Sequence, residues 1–468
     1  MLEATPISPP ALDEALFAQY EDEQMWQEDL GFDIFEADQA HINQQKELFY
    51  LGRERGEVAI PDLRPQIASE DRSKLGEIKA KLTSFKHSLK FALHNDPEVR
   101  QAWRWRINED IANVNMVEAA CDGKPESFRA YNAFIYGNPD REIFGGVSDW
   151  YAGDAEQTIH DERPEIVEAA ITVLRALGNS RGDKNILIPD KRVFEVAQDR
   201  SWSEGGFLGT LFNDVDIPPV EFIDRENGDP LMLKQLGNLS CREEIIDDSS
   251  WSMGKDGVHR PCDFRLRRQE FREYTGHEFR HAIERARGLL SRVKLSASGF
   301  DRYSHGNEGA GIAAEQMTNE TFEAFTKERR WQEIMVRHLA VSLCCGLTGE
   351  NMNFAETYDI VRSALLVYES QREDASETSL EDMQNNADGM AWDTVSLVYL
   401  GTNGSGLGGG WRRPMIYLEG NVRQWRAEAA RPGTIERGVQ GKFDLANERH
   451  VAVIRAAKMM MPDGPTLN

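Results

Sequence analysis

Gly276-His277-Glu278-Phe279-Arg280-His281-Ala282-Ile283-Glu284-Arg285-Ala286-Arg287-Gly288 is the stretch around which the rest of the chain is read. Four residues are about one turn of α-helix, so on a helix His277 and His281 leave the same face, one above the other. Two imidazoles placed in this way can share one metal ion, and zinc suits them. Glu278, next to the first histidine, is positioned to take a proton from water at that metal. The five residues alone leave open a solvated surface helix with two unrelated histidines, so the surroundings decide.

A catalytic zinc site needs three protein ligands and one open position. His305, Glu308 and Glu315 are the candidates downstream. Glu308 is favoured. It lies in Asn307-Glu308-Gly309-Ala310-Gly311-Ile312-Ala313-Ala314-Glu315, whose small residues predict a helix able to pack closely on the motif helix. Glu315 falls two turns further along nearly the same face, where it can hydrogen-bond a ligand histidine from behind. His305 precedes that helix and can orient substrate or stabilise a tetrahedral intermediate.

Outward from the site, Asn185 to Pro189, Val220 to Ile223, Leu231 to Leu233 and Phe264 to Arg267 read as short strands, the last leading into the motif helix. The turn-rich Glu226 to Pro230 separates two of them. The fold expected is therefore α+β and predominantly helical, with a small antiparallel sheet beside the His-Glu-x-x-His helix. Downstream, apolar spacing predicts helices over about 308–319, 325–346, 353–371, 386–397, 415–430 and 443–459. Upstream, it predicts helices over about 33–52 and 69–94, one opening at Pro97, and one over 164–177. Residues 122–160 read as mixed, with turns at Gly137-Asn138-Pro139 and Gly145-Gly146. The divisions expected are an acidic, poorly ordered arm over 1–30, a helical region over 31–160 and a catalytic domain over 161–468.

Of 468 residues, 40% are apolar and 28% charged, an ordinary globular balance. The formal net charge of −25 argues against nucleic acid and anionic membranes as partners. The five cysteines, Cys121, Cys241, Cys262, Cys344 and Cys345, have neither zinc-knuckle nor dithiol spacing. With no leader-like N-terminus and no long apolar run, a cytoplasmic location is expected. Gly404 to Gly409 fits Gly-x-Gly-x-x-Gly and follows a candidate strand, Thr394 to Leu400. It lacks the βαβ context of a dinucleotide site and reads as loop glycines near the site entrance. His338, in the stripe of Trp331, Ile334, Met335, Leu339 and Leu343, reads as a core residue.

The motifs in order resemble the peptidase-like family that contains the microtubule-associated tyrosine carboxypeptidases. The matching residues are His277-Glu278, Asn307-Glu308-Gly309-Ala310, Gly408-Gly409-Gly410 running into Ile416-Tyr417-Leu418-Glu419-Gly420, and Gly441-Lys442-Phe443. The resemblance covers about 265–460. It implies a gluzincin-like core, one zinc per chain on His277, His281 and Glu308, and Glu278 as general base and acid. It implies a metallopeptidase that trims residues from the C-terminal tail of a peptide or protein. Two features depart from the family pattern: the second histidine comes one residue earlier, and Arg412-Arg413-Pro414 replaces Thr-Lys-Asp. Substrate preference is therefore not carried over.

Such an enzyme needs a donor for the oxyanion, for which Tyr303, His305 and Tyr417 are candidates. It also needs a cation for a terminal carboxylate, for which Arg412, Arg413 and Arg423 are candidates. The rival expectations are a non-catalytic partner-binding protein on a peptidase-like fold and a zinc amidase acting on a non-protein substrate. The intact Glu278 argues against the first.

Overall fold

The computed structural model describes residues 11–22, 39–66, 69–89, 92, 95–153, 165–177, 183–203, 206–209, 268–319, 321–372 and 378–459, with short extended stretches at 221–223, 232–235, 252–253 and 259–260. The helices before the motif are α1 (Glu14–Asp22), α2 (Gln39–Glu54), α3 (Ser69–Ser88), α4 (Pro97–Cys121), α5 (Pro125–Tyr136), α6 (Arg141–Gly153), α7 (Glu165–Leu177) and α8 (Lys191–Trp202). The motif lies in α9 (Arg268–Leu290). It is followed by α10 (Tyr303–Met317), α11 (Arg329–Cys344), α12 (Phe354–Glu369), α13 (Leu380–Tyr399), α14 (Ile416–Ala430) and α15 (Glu448–Ala456).

Local chemistry sets many of these boundaries. Prolines open α4 and α5 at the first helical positions, where a missing N–H costs nothing. The Asp190 side chain accepts the Arg192 and Val193 amides at the start of α8. Asn353 and Glu356 form a capping box on α12. In α7 the buried residues Val167, Ala170, Ile171 and Leu174 follow the helical period, which gives it one apolar face.

The expected antiparallel sheet beside the motif helix is not seen, and the fold class is corrected to helical. The described body packs helix on helix. Among the described residues, strands occur as two separate two-stranded pairs, Glu221–Ile223 with Met232–Gln235 and Ser252–Met253 with His259–Arg260. Asn185 to Pro189 is not a strand. Asp183 accepts the Asn185 amide at 2.9 Å and winds Lys184–Ile186 into a 3-10 turn that buries Leu187. Thr394 to Tyr399 is the last turn and a half of α13. Residues 264–267 lie outside the described residues.

Two helices occupy the region read as mixed. Gly145 and Gly146 are inside α6, and a side chain on Gly146 would press on the Asp183 carbonyl and Ile186, both at 3.1 Å. Gly146 is therefore a packing position for the 183–187 turn. The acidic N-terminal stretch is docked where it is described. The Asp13 carboxylate accepts the Lys294 and Leu295 amides at 2.7 and 3.1 Å and the Trp103 indole N–H at 2.9 Å. Glu21 pairs with Arg285 of the motif helix at 2.9 Å. An acidic composition signals disorder only while the carboxylates lack partners.

One apolar core gathers around α6 to α8 and α10 to α14, including Leu208, Ile312, Trp331, Met335, Tyr358, Trp392 and Trp425. A second joins α1, α3, α4 and α5 to residues 293–300 and α15. Among the described residues no helix is long and apolar enough to cross a membrane.

The contact that positions the site is the crossing of α10 and α14. A β-carbon on Gly309 would lie 2.0 Å from the Gly420 carbonyl carbon, and one on Gly420 would lie 2.0 Å from the His305 carbonyl oxygen. The two backbones touch, and only glycine permits it. Asn421 and Trp425 of α14 then donate to Gln316 of α10 at 3.0 and 2.7 Å. Since the clash is with backbone, Gly420→Ala is expected to cost about 3 kcal/mol or more. A fall in the urea midpoint measures this, and an unchanged midpoint would contradict the crossing.

Candidate metal centre

The motif helix α9 presents His277 and His281 on one face, with ring centroids 4.6 Å apart and planes at 83°. Glu308 comes from the second turn of α10, which packs directly against α9. Gly311, one turn further along α10, makes that approach possible: a β-carbon there would lie 2.6 Å from the His277 ring. The small-residue run that singled out this segment therefore has a physical use.

One ligand atom from each of His277, His281 and Glu308 lies within 4.8 Å of the others. Both histidines direct Nε2 at the same Glu308 oxygen, at 3.2 Å from His277 and 3.7 Å from His281. Each Nδ1 faces a second carboxylate. His277 Nδ1 donates to Glu315 at 2.5 Å, and His281 Nδ1 stands 3.5 Å from Glu284. Each of these carboxylates is held in turn by an arginine, Arg330 at 3.4 Å from Glu315 and Arg280 at 2.9 Å from Glu284. Asn307 also donates to Glu284, and Arg280 reaches the Ile435 carbonyl at 3.0 Å.

A proton held on Nδ1 leaves the Nε2 lone pair for a metal, and carboxylates behind ligand histidines set that tautomer. The set of two nitrogens and one carboxylate oxygen is one that catalytic zinc uses. The buried ring nitrogens of His281 make no hydrogen bond, which is costly in a protein interior unless an ion takes up a lone pair. The three residues fit a metal ion.

Burial would push both histidines toward the neutral form, but the carboxylates prevail. Glu315 and Glu308 hold the His277 pKa up at about 9, and Glu284 and Glu308 hold His281 up at about 10. Burial would raise Glu308, yet the hydrogen bond from His277 and the charge of His281 beside it keep its carboxyl well below the ordinary range. In the metal-free protein two imidazolium charges therefore satisfy the carboxylates. Both values lie above the ordinary histidine pKa, so this stabilisation is complete below about pH 6.5 and is lost as pH rises through about 9 and about 10. Zinc entering at pH 7.5 is expected to expel about two protons per ion. Calorimetry in buffers of different ionisation enthalpy reads that number, and a heat independent of buffer would contradict it.

Glu278 lies on α9 between the two histidines, and its side chain is outside the described residues. Of the remaining candidates, Tyr417 stands by the metal centre. Burial, with Glu308 adding to it, pushes its phenol up to about 12, and the Arg330 guanidinium lies over its ring at 5.9 Å. Arg413 acts on the same phenol and lies over Trp411.

The others are used elsewhere. Tyr303 packs under Arg106 and Lys442. His305 is pushed down to about 4 by burial and by Arg423, and sits among Arg423, Glu419 and Asp444. Arg423 pairs with Asp444 at 2.7 Å. Arg412 is buried and donates to the Gly137 carbonyl and the Asn138 side chain, both at 2.6 Å. The 404–410 glycines pack against residues from 60–61, 125–129, 344–345, 351–354, 398 and 402, none of them in α9 or α10. His338 is fully buried and bonds Glu419 at 3.0 Å.

Four residues of the centre were not anticipated: Arg280, Glu284, Arg330 and Arg337. The signal for Glu284 was present in the sequence, since it follows His281 by three residues on a helix. Burial and Arg330 hold the Arg337 guanidinium below its ordinary range, with Glu333, Tyr417 and Glu315 also acting on it. No protein-family model, curated protein sequence or solved structure matches the chain.

Proposed function

We propose that the chain is a zinc-dependent hydrolase of peptide bonds, and that it trims residues from the C-terminus of a peptide or protein. The observation that carries this is the convergence of both Nε2 atoms on Glu308, with a carboxylate behind each ring. Two histidines on a surface helix have no need of such support, and a binding protein has no need of the glutamate between them. The motif order supports grouping the chain with the peptidase-like family that contains the microtubule-associated tyrosine carboxypeptidases.

Zinc in such a site supplies Lewis acidity, activating water at neutral pH and polarising a carbonyl. The protein's part is acid–base chemistry and positioning. Glu278 takes the proton from the attacking water and returns it to the leaving nitrogen. Tyr417, beside Glu308 and protonated at neutral pH, donates to the oxygen that gains charge as the carbonyl is attacked. Glu315 and Glu284 hold the two rings in place.

Metal analysis of the purified chain is expected to find about one zinc per molecule. Mass spectrometry of peptides with varied C-termini, incubated with the zinc-loaded chain, is expected to show shortened products. A zinc-loaded protein that cleaves none of them would sink the peptidase assignment.

A further inference from the structure

The chain carries 79 acidic and 54 basic residues, yet arginines crowd one side of the metal centre. Arg330 and Arg337 are two turns apart on α11 and so share a face. Arg330 is engaged by Glu315 at 3.4 Å and by Glu333 at 3.4 Å. Glu333 is divided further, with Arg329 at 3.2 Å and Arg337 at 3.9 Å. One carboxylate thus serves three guanidinium groups, and Arg337 has the longest of the three contacts. Its side chain is only 22% exposed, so water screens it poorly. Arg413 opens the 3-10 turn Arg413–Met415, which packs on α11 and runs directly into Tyr417 on α14; Arg413, Arg330, Arg337 and Glu308 all act on the Tyr417 phenol.

Crowding of like charge away from water is unfavourable, and an anion bound there would relieve it. Arginine is suited to this, because its planar fork grips two oxygens of one carboxylate or phosphate. We infer that the site takes a substrate bearing an anionic group, a carboxylate or a phosphate, bound between Arg337 and Arg413 across Tyr417, with Arg337 the principal specificity residue. Arg330, tied to Glu315, is the strut that holds this side against His277. That the anion lies beside a scissile bond rests on the hydrolase assignment; the anion site itself does not.

The test is calorimetric binding to the full chain, zinc-loaded and after chelation. The probes are inorganic phosphate, N-acetyl-trialanine, its C-terminal amide, and that amide with phosphoserine at the centre. The acid-ended peptide or the phosphopeptide is expected to bind about tenfold or more tightly than the plain amide. Binding of the acid-ended peptide alone identifies a terminal carboxylate as the anion, and binding of the phosphopeptide alone identifies a phosphoryl group.

Arg337→Gln is expected to abolish that preference, Arg337→Lys to retain part of it, and Arg426→Gln, at a surface pair with Glu142, to leave it intact. Should Arg337→Gln not fold, competition by inorganic phosphate for the peptide site on the unaltered chain decides. Equal binding of acid, phosphopeptide and amide, with no competition by phosphate, would overturn the inference. Tight binding of an anionic peptide that is never cleaved would leave the inference standing and refute the hydrolase instead.

Discussion

His277→Ala is expected to take the zinc content of the purified chain from about one ion to near zero, and hydrolysis with it. Losing a partner behind a ligand histidine costs roughly 10–100-fold in metal affinity, and losing the ligand costs more. Only His281 and Glu308 would remain, too few for a closed set. The damage extends beyond the ion. Glu315 would keep Arg330 alone, and Glu308 would lose its nearest donor. Both carboxylates are largely buried, and stripping one partner from a buried pair costs about 3–5 kcal/mol. The variant should therefore melt earlier than the parent even when both are metal-free. Elemental analysis after gel filtration and a thermal melt measure the two effects. A variant that retains stoichiometric zinc would place the ion elsewhere.

Glu278→Gln separates the base from the ligands. The amide has the shape of the carboxylate and cannot accept the proton. Zinc content and melting temperature should stay at the parent values while kcat falls about 10²–10⁴-fold. KM should change little, because the residue acts on the transition state rather than on bound substrate. A variant that turns over as fast as the parent would assign the proton to another group. Together the two variants distinguish a site that has lost its metal from one that has lost its base.

Helical spacing was enough to bring His277 and His281 together, because one turn is a local constraint. Glu308 was legible because the small residues around it announce a close approach to the motif helix; Gly311 makes that approach against His277, while Gly309 serves the crossing with α14 instead. The helices after the motif were also legible, since their apolar stripes are long. The sheet was not, and its failure has a local cause. A run as short as Ile186-Leu187-Ile188 carries no period, and side-chain hydrogen bonding by Asp183 decides for a 3-10 turn. Gly145 and Gly146 misled in the other direction, because a glycine needed for packing inside a helix resembles one needed for a turn. Arg330 and Arg337 were illegible for a further reason. Nothing in α11 itself says that this face meets Tyr417 and Glu315, and only the packing of α11 against α14 brings them together.

The backbone contact between Gly309 and Gly420 also bears on how an ion enters and leaves. Glu308 stands on a helix that cannot slide or tilt without driving main chain into main chain, so its carboxylate is the stationary post of the site. His277 is locked between Glu315 and the Gly311 surface, and its side chain is 6% exposed. His281 is the most exposed of the three at 17%, and no hydrogen bond restrains its ring. For an ion held on these three residues, a swing of the His281 imidazole would be the least obstructed route of exchange, needing no opening of the fold.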